Sequence, residues 1–134
     1  MGDIRLTVRV DFGSDRALGP GKIRLLEAIK QTGSISQAGR SLDMSYRRAW
    51  LLVDDMNRCF REPVVSAQPG GVQGGGATLT RFGETLIDKY RSIETRAMAA
   101  TAPQLNDLKV ALRALTRPEG KPRKTSIRAS TARR

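Results

Sequence analysis

Two serines, Ser34 and Ser45, constrain the fold of this chain most strongly, because each stands where a helix can begin. Ser34 opens the sequence Ser34-Ile35-Ser36-Gln37, in which the serine hydroxyl and the glutamine side chain can cap two backbone amides reciprocally. The helix after Ser34 must be short, since Asp43-Met44 ends its apolar pattern, and Ser45 can cap the next helix. The sequence therefore predicts a helix of about two turns, a tight turn and a longer helix.

The residues before this pair of helices predict a strand and a further helix. Apolar and polar residues alternate from Ile4 to Phe12, which is typical of a half-buried strand, and turn-forming residues follow from Asp11 to Gly19. From Pro20 to Thr32 the apolar residues recur at helical spacing, with proline in the first turn and Gly33 at the expected C-terminal cap. We therefore expect a strand, a turn and a helix before Ser34.

The residues after Ser45 predict a helix, a hairpin and another helix. The third helix buries one stripe of apolar residues and ends before Pro63. Two β-prone segments, Val64 to Gln68 and Ala77 to Thr80, flank a glycine-rich loop and predict the hairpin. Thr80 can cap a fourth helix, with Glu84 near the reciprocal position. The apolar positions are Ala49, Leu52, Val53, Met56 and Phe60 in the third helix, and Phe82, Leu86, Ile87, Tyr90 and Ile93 in the fourth.

The order of these elements is that of a winged helix-turn-helix, a mainly α fold with a small β component. We expect the recognition helix at about residues 45–60, the wing at about residues 64–80, and a long C-terminal dimerisation helix after the wing. Residues 1–102 would form this domain. Residues 103–134 would add a short amphipathic helix and a basic tail with too few apolar residues to fold. The leucines that mark the amphipathic helix are Leu105, Leu108, Leu112 and Leu115.

The charge of the chain indicates the kind of partner. There are 24 Lys and Arg residues against 13 Asp and Glu, a net charge of +11. Residues 103–134 hold nine of the basic and two of the acidic residues, so this segment carries +7 of the net charge. Such an excess favours a polyanionic partner, although ribosomal proteins and membrane-surface proteins share it. The tail could strengthen nonspecific DNA binding or could simply be solvated.

Missing residue types exclude several classes of function. The chain has no histidine and one cysteine, Cys59, so histidine-dependent triads, histidine-bound metals and a thiolate zinc site are excluded. No nucleophile–base pair or converging carboxylates are evident, so we predict no catalytic residue, metal, cofactor or enzyme activity. The N-terminus lacks an apolar signal region and no apolar run approaches a membrane span, so we expect a cytoplasmic, nucleoid-associated protein. Cys59 is expected to be a half-buried apolar residue, with a redox switch as the alternative.

The start of the third helix carries the residues best suited to reading DNA. Arg47 and Arg48 project away from the apolar stripe, and an arginine can donate two hydrogen bonds to guanine in the major groove. Taken alone, two surface arginines would indicate a solvated helix end, but within the whole pattern they indicate DNA contact. Ser34 and Gln37 could contact phosphate, cap their helix, or do both. The predicted DNA-binding residues are Ser34, Ser36, Gln37 and Arg40 of the short helix, Ser45, Tyr46, Arg47 and Arg48 of the recognition helix, and Gln73, Gly74, Gly75, Thr78 and Arg81 of the wing and its exit.

Several motifs resemble the DNA-binding domain of the ModE-type molybdate-responsive transcriptional regulators, within a match from about Leu6 to Glu94. They are Gly33-Ser34-Ile35-Ser36-Gln37-Ala38, Ser45-Tyr46-Arg47-Arg48-Ala49-Trp50, Asp55-Met56-Asn57, Gly74-Gly75-Gly76-Ala77 and Leu79-Thr80-Arg81-Phe82-Gly83. A weaker similarity to the LysR-type winged-helix domain covers the first and last of these motifs. The resemblance implies that Tyr46, Arg47 and Arg48 contact DNA and that Gln73 to Gly76 form the wing. It also implies a bacterial homodimer on a palindromic operator, held partly by the N-terminal helix and the long helix after the wing.

Two sets of residues leave alternatives open. Leu86, Ile87, Tyr90 and Ile93 could cover the core of their own chain or form a dimer interface with a partner helix, and we favour the interface. Trp50 could stack on DNA, but a tryptophan in mid-helix more often packs in a core, and we expect it there.

The sequence gives one leading function and two alternatives. The leading interpretation is a sequence-specific double-stranded DNA-binding transcription regulator. The alternatives are a nucleoid-type, architectural DNA binder with little sequence preference and a winged helix that binds another protein. Full-length ModE-type regulators append oxyanion-binding β-barrel domains, whereas a short basic segment follows the match here, so we do not expect molybdate binding in this chain.

Overall fold

Apart from one additional strand in the predicted N-terminal turn, the helices and strands follow the predicted order. Residues 4–68 and 76–113 are described by a computed structural model. They form five helices and two small antiparallel sheets, the composition expected of a winged helix. In chain order the elements are β1 (Val10–Phe12), β2 (Arg16–Leu18), α1 (Pro20–Thr32), α2 (Ile35–Ser41), α3 (Tyr46–Cys59), β3 (Val65–Gln68), β4 (Gly76–Leu79), α4 (Arg81–Ala100) and α5 (Ala102–Ala111).

Hydroxyl caps open three of the helices, as predicted. The side chain of Ser34 accepts a hydrogen bond from the Gln37 amide at 3.0 Å at the start of α2. Ser45 caps α3 through the Arg48 amide at 3.1 Å, and Thr80 caps α4 through the Gly83 amide at 2.9 Å. Each bond satisfies a first-turn amide that has no partner within its own helix. The three predicted helix starts are therefore confirmed.

The prediction of a reciprocal bond from the Gln37 side chain in the capping box is wrong. The Gln37 side chain is exposed, and the Ser34 amide donates instead to Oγ1 of Thr32 at 3.3 Å. At the start of α4, the Glu84 carboxylate accepts from Nζ of Lys30 at 2.7 Å, a bond that raises the pKa of that ammonium. The Thr32 hydroxyl thus takes the amide assigned to Gln37, and the Val64 carbonyl accepts from the Thr80 amide at 3.0 Å in place of Glu84.

The turn between α2 and α3 is tight. Asp43 adopts a left-handed conformation with φ of 60°, and the Met44 amide donates to the Gly39 carbonyl at 2.8 Å. Gly39 lies against α3, where a Cβ placed on it would come within 2.9 Å of the Ala49 Cβ. The two helices therefore come into close contact at this point.

The core is shared by α1, α2, α3, the β3–β4 hairpin and α4. Its most deeply buried members include Ile23, Leu26 and Ile29 of α1. The other buried core residues are Leu18, Leu25, Ile35, Ala38, Ala49, Val53, Met56, Val64, Val65, Ala77, Leu86 and Tyr90. The stripe predicted for α3 is confirmed, with Leu52 and Phe60 half-buried beside this core.

The N-terminal strand is much shorter than predicted. Only Val10–Phe12 is a strand, and it pairs antiparallel with β2 in the register Val10 to Leu18. Residues 4–9 keep the predicted alternation of burial but have no strand partner among the described residues. The segment assigned to a turn contains β2, which follows a bend at Gly13 with φ of 77°. Alternation predicts which face is buried, whereas a strand also requires a neighbour with which to pair.

Helix α4 packs back on its own chain, and this corrects part of the dimer prediction. Leu86 is buried, and Tyr90 is completely buried with its hydroxyl donating to the Val8 carbonyl at 2.5 Å. These two side chains are covered within one chain, so no partner helix is needed to bury them. Ile87 is half-buried and Ile93 is 44% exposed, so they remain available to a second molecule.

An ion-paired arginine adds to this packing. Arg91 donates to both carboxylate oxygens of Glu27 on α1, at 2.9 and 2.7 Å, and to Glu94 at 2.6 Å. The hydrogen bonds to Glu27 and Glu94 raise the pKa of Arg91 above its already high ordinary value, so it keeps its charge. The first helix and the long helix are therefore joined by polar as well as apolar contacts.

The last helix, α5, contains no buried residue. Leu108 is exposed, as are Val110 and the helix cap Leu112. A helix lies where one was predicted, but it ends at Ala111, before Leu112, while Leu115 and the basic tail lie outside the described residues. Within the described ranges, no helix combines the length and hydrophobicity that crossing a bilayer requires.

Candidate nucleic-acid interface

The first turn of α3 presents two cations to solvent. Ser45 fixes the start of the helix, and the side chains of Arg47 and Arg48 are exposed. Neither arginine forms an ion pair with any residue in the described ranges. Guanidinium groups without carboxylate partners can donate their hydrogen bonds to phosphates or to guanine. This turn is therefore the best-placed anion-binding surface on α3.

The outward face of α3 follows helical spacing from Arg47. Trp50, Leu51 and Asp54 lie three, four and seven residues after it, so the four residues share one face. The buried residues Ala49, Val53 and Met56 occupy the opposite face. Residues with this spacing can all reach the same groove when a helix lies along DNA.

Trp50 is not in the core, and that prediction is wrong. Its side chain is 42% exposed, beside Leu51 at 52% and Tyr46 at 57%. Ala49, Val53 and Met56 form the buried stripe with Leu52 packed beside it, whereas Trp50 lies off this stripe on the face of Arg47 and Leu51. Helix α3 thus carries an exposed apolar patch, which we define as Tyr46, Trp50 and Leu51.

Acidic residues on the second half of α3 are paired. Asp54 accepts from the Arg58 guanidinium at 3.2 Å, one turn later in the same helix. Asp55 accepts from Nζ of Lys22 on α1 at 3.0 Å, and that ammonium also donates to the Ala17 carbonyl. Because both carboxylates have a cation beside them, they oppose the positive first turn less than bare carboxylates would.

The short helix α2 places its predicted contact residues around its start and end. Ser34 and Ser36 are half-buried, while Gln37 and Arg40 are exposed. The Ser34 oxygen is occupied by its capping bond, but its hydroxyl hydrogen remains a donor that could reach a phosphate. Capping and phosphate contact are therefore compatible at this residue.

The hairpin that would form the wing is fastened to the helices at both strands. Asn57 of α3 accepts from the amides of Val64 and Val65 at 2.7 and 3.2 Å, and its Nδ2 donates to the Val65 carbonyl at 3.2 Å. On the other strand, the Ala77 amide donates to the Gly33 carbonyl at 2.9 Å, which brings β4 beside the start of α2. The hairpin, α2 and α3 are therefore held as one unit.

The structure places some of the predicted wing residues and not others. Thr78 on β4 and Arg81 at the start of α4 are exposed. Gln73, Gly74 and Gly75 lie outside the described residues. The sequence pattern did not lead us to predict this role of Asn57. The signal that could have indicated it is a polar residue near the end of a helix that directly precedes a β-strand. The prediction for Cys59 is confirmed, since its side chain is half-buried.

Chemically, this surface can bind anions and hydrogen-bonding groups. Within residues 4–68 and 76–113, no three His, Cys, Asp or Glu side chains come together as metal ligands would. The exposed groups around α2, α3 and β4 are arginine donors, hydroxyls and the apolar patch. That combination suits a partner that offers phosphates, polar base edges and small apolar groups in one place.

Comparison with known proteins connects this arrangement to a regulator family. No family model matches the chain. It is 41% identical over 96 residues to the molybdenum transport protein ModE of Azotobacter vinelandii and 51% identical over 77 residues to the molybdenum-pterin-binding protein MopB of Rhodobacter capsulatus. It is also 42% identical over 71 residues to the DNA-binding transcriptional dual regulator ModE of Escherichia coli.

The matches cover most of this chain but a minor part of its relatives. They span 72%, 58% and 53% of the chain, and 35%, 28% and 27% of the three relatives in the same order. The chain thus spans about a third of the length of the curated relatives it matches. The predicted resemblance of its N-terminal part to the ModE-type DNA-binding domain is confirmed.

Proposed function

We propose that this chain, whose N-terminal part matches ModE transcriptional regulators, binds double-stranded DNA at specific sequences and regulates transcription. Helix α3 lies in the major groove, and the wing, about residues 64–80, contacts the backbone or the minor groove. The observation that carries the proposal is the exposed first turn of α3. There Arg47 and Arg48 face solvent without ion-pair partners among the described residues.

The contacts divide into positioning and reading. Hydroxyls and cations around α2 and β4, among them Ser36, Arg40, Thr78 and Arg81, are suited to phosphates, which fix orientation without reading sequence. Arg47 and Arg48 are suited to guanine O6 and N7, which present an acceptor pair in the major groove. Tyr46, at the same helix start, can contact either a phosphate or a base edge.

We also propose that the chain acts as a homodimer on an inverted repeat. Ile87 and Ile93 on α4 and the exposed Leu108 and Val110 of α5 provide apolar surface that a second copy can cover. A two-fold dimer presents two recognition helices to half-sites about one helical turn apart. This proposal predicts a palindromic site.

The test is selection of DNA from a random pool by the purified full chain, followed by binding measurements on the enriched site and on unrelated DNA. Arg47→Ala and Arg48→Ala should each weaken binding to the enriched site by about 1–3 kcal/mol and reduce its advantage over unrelated DNA. Arg96→Ala is the matched control, because it removes the same charge from an exposed position on α4.

The outcomes separate the proposed function from its alternatives. One enriched inverted repeat, bound less selectively by the two arginine variants but not by the control, supports a sequence-specific dimer. Arginine variants that lose binding to all DNA equally indicate an architectural DNA binder. A pool that stays random after selection contradicts the proposal.

A further inference from the structure

The apolar patch on α3 lies on the solvent-exposed face of the helix, beside Arg47. Tyr46, Trp50 and Leu51 are 57%, 42% and 52% exposed, while the other apolar side chains of α3 pack in or against the core. No described residue covers these three side chains further. Large exposed apolar groups clustered on a functional surface indicate contact with a partner.

Charge argues that DNA is the partner that covers this patch. Arg47 lies between Tyr46 and Trp50 in the sequence and shares the outward face with Trp50 and Leu51. Any molecule that covers the patch must therefore also accept a guanidinium group at its centre. A major groove meets this condition, because it offers guanine acceptors between two rows of phosphates.

The chemistry of the groove then limits what the patch can touch. Base edges there present hydrogen-bond donors and acceptors, and the one apolar group among them is the C5-methyl of thymine. Leu51 has no polar side-chain atom, and Trp50 has a single indole N–H. Leu51 cannot hydrogen-bond a base edge and Trp50 can donate one bond at most, but both can cover a methyl group.

We infer that Trp50 and Leu51 bind thymine methyl groups and that the recognised site therefore holds A·T pairs next to the guanine that Arg47 contacts. This inference rests on the proposed function and extends it, because it names the bases that α3 reads beyond the arginines. Trp50 and Leu51 lie three and four residues after Arg47, so their side chains lie one turn further along the groove.

Replacing thymine with deoxyuracil tests the inference directly. This change deletes the methyl group and leaves the hydrogen-bonding edges of the base unchanged. In the enriched duplex, each thymine is replaced singly, and the full chain is titrated against every duplex. At one or two positions per half-site, the Kd should rise about four-fold, the change that corresponds to exposing one buried methylene-sized group.

Variants then assign the effect to side chains. Trp50→Ala or Leu51→Ala should bind the thymine and deoxyuracil duplexes equally at the position that each residue covers. Arg47→Ala should bind both more weakly and keep the difference between them. The Trp50 and Leu51 variants are each other's matched control, because Trp50→Ala should keep the methyl effect at the position that Leu51 covers, and Leu51→Ala should keep it at the position that Trp50 covers.

Three results would overturn the inference. If none of the thymine-to-deoxyuracil replacements alters binding, the inference is wrong and the proposed function is unaffected. A methyl effect that persists in both Trp50→Ala and Leu51→Ala would assign the methyl contact to another residue. Failure of the wild type to enrich any site would remove the proposed function and this inference together.

Discussion

Gly39 occupies the closest approach between α2 and α3. A Cβ at this position would lie 2.9 Å from the Ala49 Cβ, which is fixed to the α3 backbone and cannot rotate away. Gly39→Ala should therefore separate the two helices and lower the free energy of unfolding by about 1–3 kcal/mol, the cost of overpacking a core. Urea denaturation of the purified chain measures this change.

Gly21 provides the matched control for that substitution. It also lies in a helix, but a Cβ there would meet nothing within 4 Å. Gly21→Ala should leave stability unchanged or raise it by up to about 1 kcal/mol, because alanine loses less backbone entropy in a helix. Equal behaviour of the two variants would show that α2 and α3 are not in close contact at Gly39.

Individual residues could be predicted from sequence where their role is local. Ser34, Ser45 and Thr80 are helix caps because a hydroxyl reaches an amide only three residues away. Trp50 could not be placed in this way. Its residue type favoured the core, whereas helical spacing puts it three residues after Arg47 on the outward face, off the stripe of Ala49, Val53 and Met56.

At the scale of elements, Asn57 joins α3 to the β3–β4 hairpin. Its Oδ1 accepts from two buried residues, Val64 and Val65. Asn57→Ala would leave those two amides without their acceptor and should destabilise the chain by about 1–3 kcal/mol. Hydrogen exchange should also become faster at both amides, since local opening of the hairpin would cost less.

Asn57→Asp is the informative comparison for this variant. It keeps an oxygen for the two amides, but it replaces the Nδ2 donor with a carboxylate oxygen that faces the Val65 carbonyl. Exchange at Val64 and Val65 should therefore be slower than in Asn57→Ala and faster than in the wild type. If exchange at these amides is the same in Asn57→Ala as in the wild type, the hairpin is held by its apolar contacts alone.

Helices were predicted more accurately than strands. The bounds of α1 match the sequence reading because Pro20 and Gly33 are signals within the helix itself. Strand β2 was missed, since its three residues have little pattern of their own and are defined by pairing with β1. Helix α5 was predicted from its leucines, but their spacing could not show that nothing in the described chain covers them.

At the scale of the whole molecule, the N-terminal segment is held by the long helix. The Tyr90 hydroxyl reaches the Val8 carbonyl across 82 positions of sequence, and Arg91 reaches Glu27 across 64. Periodicity marked Tyr90 as apolar-facing but gave no indication of which segment would cover it. This is why the sequence assigned Leu86 and Tyr90 to a partner molecule when their own chain buries them.

Tyr90 should therefore make stability depend on alkaline pH. Burial raises the pKa of its hydroxyl above the ordinary value of 10.0, so the folded chain holds the proton more tightly than the unfolded chain. This stabilisation of the folded chain is fully present below pH 10 and is lost as pH rises through the raised pKa.

At neutral pH, Tyr90→Phe should lower the free energy of unfolding in urea by about 0.5–1.5 kcal/mol, because the bond to Val8 is lost. That difference from the wild type should shrink as the pH is raised above 10. Tyr46→Phe, at the exposed tyrosine, should match the wild type at neutral pH. A Tyr90→Phe deficit that stays constant at alkaline pH would mean that the hydroxyl proton is not held in the folded chain.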